Sequence, residues 1–368
     1  MAGTIKTPVS AWAFPLLAIV LFGLSAAAGS ATDPLGSPLS LALAVALIPI
    51  LFGAVFAAVH HAEIIAHRTG EPYGTLVLTA AVTVIEVALI ASVMMSDDAN
   101  PALARDTVFA VVMIVCNGLV GLCVLVGGVR HGEQDFRTKG AASYLSVLIA
   151  MAVLALVLPN YTRTTPGPVY SNMQLVFVSV VTLALYAAFL YIQTVRHRDY
   201  FIVFGDEETS EHSAPISNRT LGISFALLLA SLVGVILLSK KFSVVVEIAV
   251  AKAGAPFAVV GVIVALLILL PEGVAAVKSA RKDELQKSVN LALGSSLATI
   301  GLTMPAVAVM SILFDKPLTL GLGASETTLL AVTIMLSMLT FGSGRTNILF
   351  GVVHLVVFAT FVFLTFAP

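Results

Sequence analysis

The sequence predicts an all-α polytopic membrane protein of about eleven transmembrane helices: an inverted repeat of five plus five behind one N-terminal helix. Three observations carry this reading. Of the 368 residues, 59% are hydrophobic and only 11% charged, at a mean hydropathy of +1.04. A soluble domain carries about 25% charged residues, and a soluble globule of this length cannot hide so much apolar surface. The apolar residues fall in runs of the ~20 residues that cross a ~30 Å hydrocarbon core. One motif then recurs at an offset of 184 residues, half the chain. The 19 basic and 20 acidic residues nearly cancel, which leaves no basic field for nucleic acid.

In chain order the runs lie near 11–30, 41–67, 74–95, 107–128, 142–159 and 172–195, then 220–253, 256–278, 289–313, 318–340 and 344–366. The first reads as a spanning helix. Its alternative is a cleaved signal peptide, with Lys6 as the basic end and Ala26-Ala27-Ala28-Gly29-Ser30-Ala31 as the small-residue cleavage region. Residues 1–39 thus form an N-terminal unit, 40–195 the first five-helix repeat, 196–219 a polar linker and 220–368 the second repeat. Lys240 and Lys241 interrupt the seventh run. Cys116 and Cys123 share one run, roughly 10 Å apart on a helix, too far to bridge.

Loop charge sets the orientation. With the N-terminus inside, the inner segments hold 13 Lys and Arg residues and the outer ones 6. The positive-inside rule then favours a cytoplasmic N-terminus in a bacterial inner membrane. The linker is cytoplasmic in this arrangement, and Asp206, Glu207, Glu208 and Glu211 make it acidic and a candidate cation sensor.

The repeat is the main signal. Glu63 is followed seven residues later by Gly70, then by Pro72 and Tyr73; Glu247 is followed by Gly254, Pro256 and Phe257 at the same spacing. Each block leads into an apolar run with one more acid: Glu86, 23 residues after Glu63, and Glu272, 25 after Glu247. The third helices agree more loosely, Asn117-Gly118-Leu119 against Gly294-Ser295-Ser296. Spans 2–6 match spans 7–11, and five is odd, so the second half starts from the opposite side of the membrane. Inverted repeats of this kind build many secondary transporters.

Ionisable groups inside a bilayer are costly and face a bundle interior or a water-filled cavity. At ~1.5 Å per residue, Glu63 lies roughly 10 Å from the Gly70–Gly74 turn and Glu86 roughly 18 Å beyond it. Both are near the midplane, and the spacing predicts that they meet across one helical hairpin, with Glu247 and Glu272 approaching from the other side. Clustered buried carboxylates repel one another, so the cluster holds protons or a cation and rarely neither. That exclusion is what proton–cation exchange requires, and oxygen ligands suit a hard cation such as Ca²⁺. Glu86 and Glu272 are therefore the candidate exchanging groups and ligands of the transported cation. Glu63, Glu247, Asn117, Ser295 and Ser296 are candidates for the path. Pro271 removes a helix hydrogen bond next to Glu272 and frees a carbonyl near Leu267. His60, His61 and His67, whose ring type changes charge near neutral pH, are candidates for a proton relay. Glu326 has no repeat counterpart and reads as a solvated helix end.

At these residues the sequence resembles the calcium/cation antiporter superfamily in its proton-coupled branch, and most of all the ChaA-type bacterial calcium (sodium, potassium)/proton antiporters. The resemblance rests on His60-His61-Ala62-Glu63 through Gly70-Glu71-Pro72-Tyr73-Gly74-Thr75-Leu76 and on Val82-Thr83-Val84-Ile85-Glu86-Val87-Ala88-Leu89-Ile90. In the second half it rests on Pro271-Glu272-Gly273-Val274-Ala275-Ala276 and on Leu291 through Thr303. In that superfamily each repeat carries Gly-Asn-x-x-Glu, whose Glu exchanges proton for cation; Glu86 and Glu272 fall on those positions. The asparagine positions are Thr83 and Leu269 here, which brings Thr83 into the path and shifts the expectation towards monovalent exchange. The resemblance implies export of Ca²⁺, or of Na⁺ or K⁺, against H⁺ by alternating access. No cofactor is expected beyond the transported ions. The expected partners are small inorganic cations, protons and the lipid bilayer, and a homo-oligomer is compatible with the reading.

Two rivals belong to other classes. His60, Glu63 and His67 share one helix face at metal-ligand spacing, and His354 could complete the site of an intramembrane metal hydrolase. Against it, the equivalent second-half positions are Val244, Glu247 and Ala251: the acid recurs and the histidines do not. The other rival is a passive channel.

Overall fold

The computed structural model describes residues 8–27, 37–70, 73–95, 100–202 and 216–367. Lys6, the Ala28-Gly29-Ser30-Ala31 stretch, Glu71-Pro72 and the linker acids Asp206, Glu207, Glu208 and Glu211 lie outside the described residues. Among the described residues, eleven helices are long and apolar enough to cross a membrane. They are α1 (Ser10–Ala27), α2 (Pro38–Thr69), α3 (Tyr73–Met94), α4 (Leu103–His131), α5 (Thr138–Tyr161) and α6 (Asn172–Arg196), then α7 (Asn218–Lys252), α8 (Ala258–Ala280), α9 (Leu285–Leu313), α10 (Ala324–Gly342) and α11 (Ile348–Phe366). Polar caps start several of them. Ser37 and Ser40 form a capping box on α2, Ser171 and Gln174 one on α6, and Asn347 accepts from the Leu349 N–H on α11.

One predicted run begins too early. Leu318, Leu320 and Leu322 are buried, but they belong to an extended connection rather than to α10. Its N–H groups are taken by carbonyls elsewhere in the chain: Thr319 donates to Pro101 (3.0 Å), Leu320 to Pro168 (3.1 Å) and Leu322 to Leu156 near the end of α5 (2.8 Å). Apolar residues alternating in and out have strand periodicity, and hydropathy alone merged them with the following helix.

The chain forms two compact units that interleave the two repeats. The first contains α1, α2, α3 and α7, packed on one another. Buried His61 on α2 bonds the Ala11 carbonyl of α1 through Nε2 (3.0 Å). Gly70, at φ 69°, ends α2, and a Cβ on Gly74 would lie 2.7 Å from the Ala66 carbonyl oxygen, so α2 and α3 close into a hairpin only with glycine there. The hydroxyls of Ser92 on α3 and Ser243 on α7 share a hydrogen bond of 2.7 Å.

The second unit contains α4, α5, α6 and α8 to α11. Its connections gather at two ends, as alternating crossings require. At one end, β1 (Gln134–Asp135), after α4, pairs antiparallel with β2 (Arg345–Thr346), before α11. Gln134 donates there to the Ala280 carbonyl and to Asp283 in the α8–α9 turn, and Asn290 and Arg137 donate to the carbonyls of Phe201 and Ile202 beyond α6. At the other end meet the segment before α4, the α5–α6 loop and the α9–α10 connection, where Arg105 also donates to Gly321 and Asn160 to Leu322. Burial pushes the Tyr170 hydroxyl of the α5–α6 loop up to about 12, so it remains a donor, to the Leu154 carbonyl. Cys116 and Cys123 are free and buried, as their spacing implied.

Four stretches, one each in α4, α5, α6 and α9, are wound as π-helix: Ile114–Leu119, Val153–Val157, Ile192–Arg196 and Thr299–Thr303. The first and last occupy equivalent points of the two repeats, 185 residues apart at their first residues. By that offset Asn117 corresponds to Leu302, whereas the looser pairing by residue type sets it against Gly294.

Candidate functional site

Two contacts fix the depths of the three carboxylates in the first unit. Ala66 touches Gly74 across the α2–α3 hairpin. Glu63, three residues before Ala66, is therefore level with Val77, nine residues before Glu86, or roughly 13 Å along the axis. Glu63 and Glu86 thus do not meet across the hairpin, contrary to the sequence expectation. That expectation measured both from the turn and ignored how closely Gly74 draws the strands of the hairpin into register.

The second contact is Ser92 to Ser243. Helices α3 and α7, both odd in crossing order, run in the same direction. Glu247, one turn past Ser243, is then roughly 15 Å from the level of Glu86, on the side opposite Glu63. Glu86 sits about midway between the other two. Its burial agrees: Glu86 is 2% exposed, Glu247 is half-buried and Glu63 is exposed. Half-buried Thr83, one turn before Glu86, lies on the same helix face.

In the second unit, half-buried Glu272 follows buried Pro271 in the uninterrupted α8. Helix α4 runs alongside in constant register. A Cβ on Gly261 would meet the Thr107 N at 3.0 Å, and one on Gly273 would meet Leu119 Cδ1 at 3.8 Å; both pairs are 154 residues apart. Asn117 therefore stands at the depth of Pro271 and Gly118 at that of Glu272. Ser288 on α9 donates to the Ala276 carbonyl of α8 (2.7 Å), which places Ser295 and Ser296 roughly 5 Å past Glu272, away from the α8–α9 turn. Ser296 is buried, and its hydroxyl has no hydrogen-bond partner among the described residues.

Asn117 is anchored by a network that sequence reasoning did not find. Its Nδ2 donates to Thr333 on α10 (2.8 Å), which turns Oδ1 towards His354 Nδ1 on α11 (3.1 Å). Asn117 and His354 are both 0% exposed. Since Oδ1 only accepts, Nδ1 carries the hydrogen, and in the neutral ring Nε2 accepts from the Thr340 hydroxyl (2.9 Å). An intramembrane histidine with two threonines one or two turns apart on the preceding helix was the available signal.

The histidine constellation on α2 does not assemble as the hydrolase reading required. Both nitrogens of His354 are engaged by Asn117 and Thr340, and His61 ties α2 to α1. His60 meets the His61 ring edge-on at 5.4 Å, and His67 is exposed near the end of α2. Among the described residues no three His, Cys, Asp or Glu side chains group as a metal site.

Ten crossings in two inverted halves behind one further helix, each half with an acid at the same point of its second helix, define a secondary active transporter rather than an enzyme. The chain belongs to the sodium/calcium exchanger family, whose model matches residues 39–195 and 223–367. It is 46% identical over 316 residues to the protein y4hA of Sinorhizobium fredii, covering 84% of this chain and 85% of that one. It is 37% identical over 313 residues to the sodium-potassium/proton antiporter ChaA of Escherichia coli, covering 84% of each. Its fold matches that of native YfkE at a TM-score of 0.72 and 16% identity, over 97% of this chain and all of the other. It matches an H⁺/Ca²⁺ exchanger, CAX, at 0.68 and 15% identity, over 95% and 87%. Family membership sets the hydrolase reading aside.

Proposed function

We propose that the chain is a cation/proton antiporter of a bacterial inner membrane, with its N-terminus cytoplasmic, in which Glu86 and Glu272 carry the exchange. The observation that supports it most is the near-complete burial of Glu86 at mid-depth of α3, at the position where Glu272 recurs in α8. A carboxylate in such surroundings is stable either protonated or neutralised by a bound cation. Taking up one therefore expels the other, and movement of one repeat against the other presents the group to each side in turn. Glu63 and Glu247, on either side of Glu86 in depth, serve the approaches. Asn117, Thr83, Ser295 and Ser296 offer oxygen ligands along the way. Cation and proton are cargo; no cofactor enters the cycle.

Oxygen ligands with two carboxylates suit Ca²⁺, and two protons balance one such ion. A second reading, Na⁺ or K⁺ exchange, is favoured by Thr83 and Leu269 standing where the family has asparagine, and by the sodium-potassium activity in the name of the Escherichia coli relative.

Everted vesicles carrying a ΔpH-sensitive dye test both. Added cation is expected to collapse the gradient in vesicles that are otherwise tight to protons, and the comparison of Ca²⁺, Na⁺ and K⁺ identifies the cargo. Glu86→Gln and Glu272→Gln are expected to abolish the response at near-normal expression, since an amide mimics the protonated acid but cannot discharge it. Retained proton-coupled exchange in either variant overturns the assignment, and a gradient that leaks without cation makes the protein a channel.

A further inference from the structure

We propose that the first unit holds a site for one anionic phospholipid, its phosphate on Lys240 and Lys241 and an acyl chain in the cavity beneath them. Helix α7 is apolar for most of its length, yet it places two adjacent lysines in its C-terminal half. Both line a cavity of about 580 Å³ bounded by α1, α2 and α7, within the ~300–1,000 Å³ of ordinary ligand sites. The floor is apolar: Leu21 and Phe22 of α1, Leu47 of α2 and Leu237 of α7. Ser25 and Ser40 mark the rim, each two residues from a helix end at Ala27 or Pro38. The cationic groups thus stand near the level where these helices leave the hydrocarbon, within reach of lipid headgroups.

Charge decides the occupant. Lys240 is exposed and Lys241 half-buried, and among the described residues neither lies in an ion pair. Unpaired cations in a membrane-spanning segment seek an anion or the interface. The surface around the opening is apolar, with Leu24, Leu39, Leu41 and Ile236 exposed, so the neighbouring solvent is acyl chain rather than water. A molecule with a phosphodiester head and a hydrocarbon tail matches both halves of the cavity. Inorganic phosphate matches only the head, and an apolar solute only the floor. The site is independent of the exchanging carboxylates.

The test is native mass spectrometry of the full-length protein released from detergent after equilibration with equimolar phosphatidylglycerol and phosphatidylcholine. The expected result is one retained phosphatidylglycerol per chain, preferred roughly tenfold over phosphatidylcholine. Lys240→Gln/Lys241→Gln is expected to erase the preference and Lys240→Arg/Lys241→Arg to keep it. Leu47→Trp, which fills the floor and leaves both lysines in place, is expected to lose the retained lipid. Phosphatidylglycerol should also raise the thermal midpoint of the native protein but not of the Gln variant, whose monodisperse elution shows that it folds. Equal retention of the two lipids, or retention unchanged in the Gln or Trp variants, overturns the proposal. So does displacement by millimolar inorganic phosphate.

Discussion

Glu86 and Glu63 are chemically the same residue on neighbouring helices, and in the proposed cycle depth separates their roles: Glu63, exposed, would take up cations first, and Glu86, 2% exposed, would take them only after dehydration. Glu63→Gln and Glu247→Gln are therefore expected to leave exchange running. Each should raise the half-saturating cation concentration roughly threefold to tenfold through lost local charge and shift the pH profile of exchange. Dye-assay titrations of cation and pH check both. His354 acts through packing instead. His354→Leu strands the Asn117 carbonyl oxygen in a buried site, which costs about 1–3 kcal/mol. A lower thermal midpoint for His354→Leu than for Val356→Leu, at an exposed position of the same helix, is the expected measurement.

At the scale of elements, the acids and the helix count were legible in the sequence because burying charge in lipid is costly and twenty-residue apolar runs have few other uses. Depth was not legible. It depends on Gly74 closing on Ala66 and on Ser92 finding Ser243, contacts between residues that hydropathy scores as ordinary. The π-helical stretches were equally hidden, since nothing in Ile114–Leu119 or Thr299–Thr303 breaks an α-helical pattern. Residues 318–323 of the α9–α10 connection read as helix for a related reason: their leucines satisfy a hydropathy window whatever their period. The α4–α8 register shows how narrow such contacts are. At Gly261 a Cβ would meet backbone atoms of Thr107 and Asp106 at 3.0 and 3.1 Å, and backbone cannot swing aside. Gly261→Leu is expected to push the two helices apart, lowering stability by about 1–3 kcal/mol and slowing exchange. Gly222→Leu, where a Cβ meets nothing within 4 Å, should do neither.

For the whole molecule, the two ends of the second unit differ in charge as well as in connectivity. Arg130, Arg137, Lys139, Arg196, Arg198, Lys278, Arg281, Lys282, Lys287 and Arg345 lie towards the end that carries the β1–β2 pair, and Arg105, Arg163 and Lys316 towards the other. In the proposed orientation the β1–β2 end is the cytoplasmic one, as the positive-inside rule predicts from this asymmetry. A membrane-impermeant maleimide added to intact cells is accordingly expected to label Thr165→Cys and to spare Glu133→Cys, with the reverse in everted vesicles. Buried Cys116 and Cys123 provide a silent background. The opposite pattern would invert the direction of transport.

The matched π-helical stretches of α4 and α9 also bear on ancestry. A π-helical turn accommodates one residue more than the α-helical turn it replaces. The surplus residue sits at the same place in both halves, in helices that share almost no side chains there. The simplest history is a single codon gained by a five-helix precursor gene before that gene was copied and fused to itself. The stretches in α5 and α6, with no counterparts in α10 and α11 among the described residues, would then be younger gains, made after the two copies had begun to diverge.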